Sequence, residues 1–511
     1  MFEPILQAAS EGFFLVFSWP NVVYPIIGTL AAICFALVPG LNGSSLMVLA
    51  IPLTLSWEPL PVLLIYGAFV GGATFTGSIT AILFNIPGRT SNAATLLDGF
   101  PLAQQGKAKT AIACSATASA LGSTFGIIIL ILLIPVMRKT ILMFGPPEFL
   151  MLSIWGLTTI AVFARGSVVK GLLAGGIGLL ISFIGLDPRT AELRYTFGIS
   201  YLRDGVSLVP VSLGLFALAQ IIDLMASGRR TLSGRTEADE LSGSVWDGIR
   251  SVFQNFGLFL RSSVLGTVIG IIPGVGASVA SFVAYGQAVQ TAGKNRKNFG
   301  KGDIRGVIAP EAANDAKDGG ALVPTLAFGI PGGTGTAILL TVLNIHGLAP
   351  GKEMLTTNLS LAFVLIWSLF LSNWLTSLLG LAIVNPLSRI TTIRVSLIIP
   401  IILAFATMGA YLYNGRIEDV FVAYIFAFLG YGMKKFGWSR VPLLLGLVLG
   451  PLFENSFHLT LRLQELGRIN FFTRPIVLIL IGVLIISFVL PALRNRRDLI
   501  VKEGARSKGL A

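Results

Sequence analysis

Charged positions divide the chain into long uncharged stretches. No Asp, Glu, Lys or Arg occurs in residues 13–57, 59–88, 110–137, 262–293, 319–351 or 354–388. A membrane-crossing helix needs roughly 20 apolar residues, and these stretches supply about ten to twelve crossings of an all-α integral membrane protein. A soluble helix would carry a polar face at helical period, and stretches this long have none. Stretches 13–57, 59–88 and 319–351 exceed one crossing at about 1.5 Å per residue, and each is interrupted by Pro and Gly. They predict broken or re-entrant helices. Backbone groups freed at a break cannot face lipid, so they are buried in protein or line a wet cavity.

The breaks recur in order. "LVPGLNGSS" at 37–45 returns as "IIPGVGASV" at 271–279, and "AILFNIPGRTSNAAT" at 81–95 returns as "TLAFGIPGGTGTAIL" at 325–339. In the second pair Phe84, Ile86, Pro87, Gly88, Thr90 and Ala93 match Phe328, Ile330, Pro331, Gly332, Thr334 and Ala337. Two different breaks repeated in sequence point to a duplicated fold, as in many secondary transporters, and inverted topology is the form expected. This gives a first transmembrane repeat at 1–230, a polar linker at 231–244, a second repeat at 245–495 and a basic tail at 496–511.

Composition agrees: 54% of residues are hydrophobic, only 12% are charged, and mean hydropathy is +0.82. The net charge of +13 comes from short runs such as "SGRRTLSGR", "KNRKNFGK", "MKKFGWSR" and "LRNRRD". These read as cytoplasmic segments rather than a nucleic-acid surface. The start has neither a basic n-region nor a small-residue cleavage site. Cys34 and Cys114 lie in uncharged stretches and read as packing residues, and with only two histidines no transition-metal site or other cofactor is expected.

A helix that starts inside the membrane presents free N–H groups and its positive dipole end, which suits an anion without a basic side chain. The residues placed at these starts are the candidate substrate-binding set: Pro39, Gly40, Asn42, Gly43, Ser44 and Ser45; Pro87, Gly88, Arg89, Thr90 and Ser91; Pro273, Gly274, Gly276 and Ser278; Pro331, Gly332, Gly333, Thr334 and Thr336. The glycines allow close approach of backbone to ligand, and the hydroxyls add donors. Arg89 either clamps a carboxylate through its planar fork or anchors the membrane interface. In "PEAANDAKDGG", Glu311 and Asp315 are four apart and share a helix face with Asn314 nearby. Their oxygens suit a hard cation such as Na⁺, or H⁺ carriage, and form the candidate cation site. Lys317 and Asp318 read as interfacial, Asp98 as a turn or cap residue, and His346 as a turn histidine.

The stretches "VPGLNGSS", "GSITAILFNIPG", "AATLLDGFPLAQQGKA", "GIIPGVGASVASFVAYG", "FGKGDIRGVIAPEAANDA" and "GGALVPTLAFGIPGGTGTAILL" occur in fixed order. On these motifs the chain resembles the large membrane permease subunit of the tripartite tricarboxylate transporters, the TctA-like permeases. The resemblance implies carboxylate transport across the bacterial inner membrane, driven by an ion gradient, usually Na⁺. It implies a small transmembrane subunit and a periplasmic solute-binding protein as partners. The sequence departs from the family pattern at Asn42, Thr76, Arg89, Asp315, Lys317 and Asp318, which bears on substrate more than on fold. A channel or a proton-coupled carrier is the alternative. Enzyme readings find little support: "GKGD" at 300–303 sits in a basic loop rather than an apolar span, and Ser278 with His346 lacks the glycine expected after a nucleophilic serine. No GxxxxGK[ST] phosphate loop occurs.

Overall fold

The computed structural model describes residues 3–37, 43–84, 89–141, 143–163, 168–187, 192–226, 243–273, 276–382, 395–482 and 484–485. Two compact units form, Met1–Leu142 with Val206–Phe436, and Met143–Gly205 with Gly437–Ala511. Each unit therefore takes segments from both expected repeats. Residues 231–242 of the linker and the tail at 496–511 lie outside the described residues.

The first unit opens with helices α1 (Glu3–Phe17), α2 (Val23–Leu37), α3 (Gly43–Thr54) and α4 (Pro59–Phe84). A 3₁₀ turn, Thr90–Asn92, leads directly into α5 (Ala93–Gln104), followed by α6 (Ala108–Ile141). The second unit contributes α7 (Pro146–Phe163) and α8 (Val168–Ser182). Back in the first unit, α9 (Leu208–Ser212) runs through a π-helical turn, Leu213–Leu218, into α10 (Ala219–Ala226). Then come α11 (Val245–Gln254), α12 (Phe256–Ile271), α13 (Gly276–Thr291), α14 (Arg305–Phe328) and α15 (Thr334–Ile345). The unit closes with α16 (Lys352–Leu355), α17 (Leu359–Ala382), α18 (Val395–Asn414) and α19 (Ile417–Lys435). Helix α20 (Val441–Glu465) completes the second unit, where it packs on α7 and α8. Among the described residues the only sheet is a hairpin pairing Gly185–Leu186 with Leu193–Arg194.

The chain is an all-α, multi-pass membrane protein. By length and composition α4, α6, α17 and α20 can each cross a membrane, and α11 with α12 qualifies as a pair bent by 77°. The shorter apolar helices α2, α3 and α15 are the half-length pieces that the breaks in 13–57 and 319–351 predict, whereas residues 59–84 form the unbroken α4. Helix α14 ends at Gly329, whose left-handed φ of 66° lets its N–H reach Thr325 O at 3.1 Å while Ile330 N–H reaches Pro324 O at 3.2 Å. Pro331 then prevents continuation, and α15 begins three residues later.

Helix α14 is buried along nearly its whole length although it is the most polar of the long helices. Small residues make this possible. Helix α6 presents Gly122 and Gly126, and α12 presents Gly266 and Gly270, each pair at four-residue spacing. A Cβ at Gly122 or Gly126 would fall on the backbone of Ala312 or Ala316, and one at Gly266 or Gly270 on the backbone of Ala313 or Lys317. Gly319 and Gly320 of α14 answer with their own close approaches, to Gly126 and Thr267. Helices in a bilayer gain little from burying apolar surface against one another, so backbone-to-backbone packing of small residues holds them together.

The packing repeats across the two halves. Helix α2 lies on α4 as α12 lies on α14; α17 lies on α4 as α6 lies on α14; α1 lies on α17 as α11 lies on α6. Gly12 of α1 sits against Phe363, and Gly248 of α11 against Thr110 and Ala113, in the same manner. Thr74 and Asp318 are 244 residues apart and hydrogen-bonded to each other. The same offset superposes Phe84 on Phe328 in the repeated motif, so the repeat axis passes through this contact. Ser78, further along α4, meets Glu311, further back on α14. The two related helices therefore run antiparallel, which places the axis across them, as an inverted repeat requires.

Gly126→Val and Gly266→Val should each lower stability by about 1–3 kcal/mol, because the atoms they strike are backbone. Gly286, whose added Cβ meets nothing within 4 Å, is the control, and Gly286→Val should be close to neutral. Thermal unfolding of the purified proteins in detergent measures the difference.

Candidate functional site

Helix α14 carries its polar residues on the face turned to α4, α5 and α6. Glu311 is 0% exposed, and its Oε1 accepts from Ser78 Oγ of α4 at 2.7 Å and from Thr95 Oγ1 of α5. Its Oε2 accepts from Ser115 Oγ of α6 at 2.9 Å. Three hydroxyls from three helices thus satisfy this carboxylate. One turn on, Asp315 Oδ2 accepts from Ser119 Oγ, while its Oδ1 is buried without a partner. Asn314, 1% exposed, has no partner for either Oδ1 or Nδ2. Buried polar atoms are normally hydrogen-bonded, so three unmatched atoms on adjacent residues make Asn314 and Asp315 the candidate ligand-facing part of the row.

Lys317 and Asp318 are buried, which corrects the interfacial reading. Lys317 Nζ donates to Asp318 Oδ1, and Asp318 Oδ2 accepts from Thr74 Oγ1 at 3.3 Å. Arg89 joins the same network through its Nη1, which donates to Thr74 Oγ1 at 3.0 Å. The guanidinium thus shares Thr74 with the Asp318 carboxylate. Asn92 fixes the turn that carries Arg89: its Oδ1 accepts from Arg89 N–H at 3.1 Å, and its Nδ2 donates to Ser78 Oγ at 2.6 Å.

Two of the described helix starts, those of α13 and α15, approach each other. A Cβ built on Gly333, before α15, has Gly276 Cα, at the start of α13, as its nearest atom at 3.9 Å. The turn Thr90–Asn92 packs on α13 and α14, and α3 packs on α15. Gly276 (φ 76°) and Gly335 have open space on their Cβ side. Gly332 does not: its Cβ position lies 2.6 Å from Ala321 Cβ and 2.9 Å from Gly270 O, so close packing on α14 and α12 requires glycine here. Thr336 Oγ1 accepts from Gly333 N–H at 3.0 Å and caps α15. Gly43, Ser44 and Ser45 are buried at the start of α3, with Gly43 against Ala73 of α4. Ser91 is 2% exposed with its Oγ unpartnered, Pro273 is buried, and Ser278 and Thr334 are half-buried in the first turns of their helices. Pro39, Gly40, Asn42, Pro87, Gly88 and Gly274 lie outside the described residues, as does the side chain of Thr90.

The model of the tripartite tricarboxylate transporter TctA family matches residues 22–445. The chain belongs to that family. A protein of Agrobacterium vitis, described as an uncharacterized 52.8 kDa protein in the TAR-I ttuC' 3' region, is 30% identical over 98% of this chain and 99% of its own length. A second A. vitis protein, from the TAR-II ttuC' 3' region and also uncharacterized, is 33% identical over 47% of this chain and 99% of its own. No solved structure matches. TctA-family proteins are components of transporters rather than enzymes.

In this TctA-family chain two further sequence-selected residues take structural roles. Asp98 caps, though not its own helix: its Oδ1 accepts from Gly302 N–H and Asp303 N–H, both at 2.9 Å, just ahead of α14. Its Oδ2 accepts from Tyr285 Oη of α13 at 2.9 Å. One carboxylate thus ties α5, α13 and α14 together. His346 ends α15 with its ring nitrogens 2.9 Å from Val342 O and Thr54 O. Cys114 packs in the buried core around α6, whereas Cys34 is exposed on α2 and is not a packing residue.

Sequence reading missed the donors to the acidic row, Ser78, Thr95, Ser115, Ser119 and Thr74, and Asn92, which donates to Ser78 behind them. Their signal was present. Ser115, Ser119 and Ser123 recur every four residues on α6, as Thr74 and Ser78 do on α4, which puts each set on one helix face. Glu311→Ala should strand the three hydroxyls that now donate to it and lower stability by about 2–3 kcal/mol, with Glu311→Gln intermediate. Thermal unfolding in detergent gives the order.

Proposed function

We propose that this chain is the translocating subunit of an ion-gradient-driven carrier for organic carboxylates of the di- and tricarboxylate class. It works in the bacterial inner membrane with a small transmembrane subunit and a periplasmic binding protein that delivers substrate. The observation that carries the reading is the juxtaposition on α14: unpartnered oxygens of Asn314 and Asp315 lie beside a charged network that reaches Arg89 at a helix start. With Arg89, Lys317, Glu311, Asp315 and Asp318 all ionised, the set carries one excess negative charge. A single monovalent cation on Asn314 and Asp315 would balance it, and its ligands would be the hard oxygens that Na⁺ takes. Glu311, already holding three hydroxyls, orients α14 rather than serving as a ligand. Substrate carboxylates would then meet the open starts of α13 and α15 at Gly276, Gly333 and Gly335, with Arg89 supplying a planar pair of donors.

The test is uptake of radiolabelled di- and tricarboxylates by the three-component system in proteoliposomes, with Na⁺ and proton gradients imposed separately. Na⁺-driven accumulation supports the reading, and uptake indifferent to both gradients overturns it. Asp315→Asn should raise the Na⁺ concentration for half-maximal uptake about tenfold, equivalent to about 1.4 kcal/mol of cation binding. Asp315→Ala should raise it further. Arg89→Lys should raise the substrate KM and leave the Na⁺ dependence unchanged, because Lys lacks the fork. Gly335→Val should abolish uptake by a protein that still folds, whereas Gly332→Val should reduce the amount of folded protein.

A further inference from the structure

Helices α6 and α12 both run parallel to α14. Gly122 and Gly126 of α6 meet Ala312 and Ala316, and Gly266 and Gly270 of α12 meet Ala313 and Lys317. All three helices therefore begin at one level of the molecule. The loop before α14 is tied to the turn before α6 there: Gln105 Nε2 donates to Lys301 O at 2.6 Å, and Gly302 lies against Gln105. The start of α11 is tied to the same place, with Thr110 Oγ1 donating to Ser244 O at 3.0 Å and Gly243 against Lys107.

At this level α11 leaves α12 with a bend of 77° and packs on the first turns of α6. Its inner face is fixed by Gly248 and Val252, which are buried. Its outer face holds Trp246 and Phe253, 70% and 57% exposed, with Arg250 exposed between them. An exposed aromatic face with an arginine, on a helix at the end of a span, is the pattern of a membrane–water interface. Beside it the loop displays Lys294, Arg296, Lys297 and Lys301, all exposed, and the α5–α6 turn displays Lys107. The nearby acids are largely taken: Asp98 is buried on its three donors, and Asp303 pairs with Arg305 at 2.6 Å. Asp247 of α11 is the exposed acid on this face.

We propose that α11 and the 294–301 loop form a docking surface for anionic phospholipid headgroups, with Trp246 and Phe253 in the acyl boundary and the basic loop over the phosphates. Charge complementarity selects the occupant. A cationic strip at the depth of an interfacial helix meets headgroups, and each cation near an anionic leaflet adds to the attraction.

Native mass spectrometry of the full-length protein, with phosphatidylglycerol and phosphatidylcholine added at equal concentration, tests this. Phosphatidylglycerol should be retained preferentially, and added salt should release it. The variant K294Q/R296Q/K297Q/K301Q should retain about fivefold less phosphatidylglycerol with phosphatidylcholine unchanged. The salt-release arm uses wild-type protein and stands even where that variant does not fold. In nanodiscs of brominated phosphatidylglycerol, the difference between wild type and Trp246→Phe should show that Trp246 is quenched. Equal retention of the two lipids overturns the proposal, as does retention insensitive to salt. An unquenched Trp246 also overturns it and reassigns the face to a protein partner.

Discussion

A polar helix can lie in the middle of a membrane protein only where its neighbours come close enough to satisfy it. Here that closeness rests on glycine. Gly122 and Gly126 on one side of α14, and Gly266 and Gly270 on the other, bring two helices to backbone contact. This fixes the rotation of α14, so that Glu311, Asp315 and Asp318 all turn toward hydroxyl-bearing faces of α4, α5 and α6. A larger side chain at any of these glycines would separate the helices, and the hydroxyls could no longer reach. The polar chemistry of the site is thus held in register by residues that have no side chain.

The two halves share one plan of packing but differ in chemistry at the plan's most sensitive points. Arg89 follows the first Ile-Pro-Gly motif where Gly333 follows the second. Thr74 occupies the place on α4 that Asp318 occupies on α14. The acidic row on α14 has no counterpart on α4, whose equivalent positions are Gly67, Val70 and Gly71. One half therefore offers carboxylate and amide oxygens, and the other offers a guanidinium and the hydroxyls that steady those oxygens. A duplicated scaffold has thus come to carry the carboxylates, with Lys317, on α14 and the hydroxyls that hold them, with Arg89, in the first half.

Much of this was legible in the sequence. Uncharged stretches interrupted by Pro and Gly gave the membrane class, the half-length helices and the order of the repeat, because hydrogen-bonding constraints in a bilayer act locally on the chain. The four-residue spacing of Glu311 and Asp315 placed both on one face. Lys317 and Asp318 were misread because their sequence neighbours look like a helix end, whereas α14 is buried here by helices distant in sequence, with Thr74 of α4 bonded to Asp318 and Gly270 of α12 against Lys317. Gly332 has a packing role that its motif did not show. A glycine that admits a ligand and a glycine that admits a neighbouring helix look the same in a motif, and only Ala321 and Gly270 reveal which it is.

The contact of Thr74 with Asp318 has a geometric property that no off-axis contact shares. When two halves related by a two-fold axis exchange conformations, every contact away from the axis is traded for its mate, while a contact on the axis maps onto itself. Were its two members identical, it would be blind to the exchange and would weight both conformations equally. A hydroxyl facing a carboxylate is not blind, because swapping the environments of Thr74 and Asp318 gives each the other's neighbours, Arg89 included. The repeat axis thus passes through an unequal pair, a place where nearly symmetric architecture departs from symmetry.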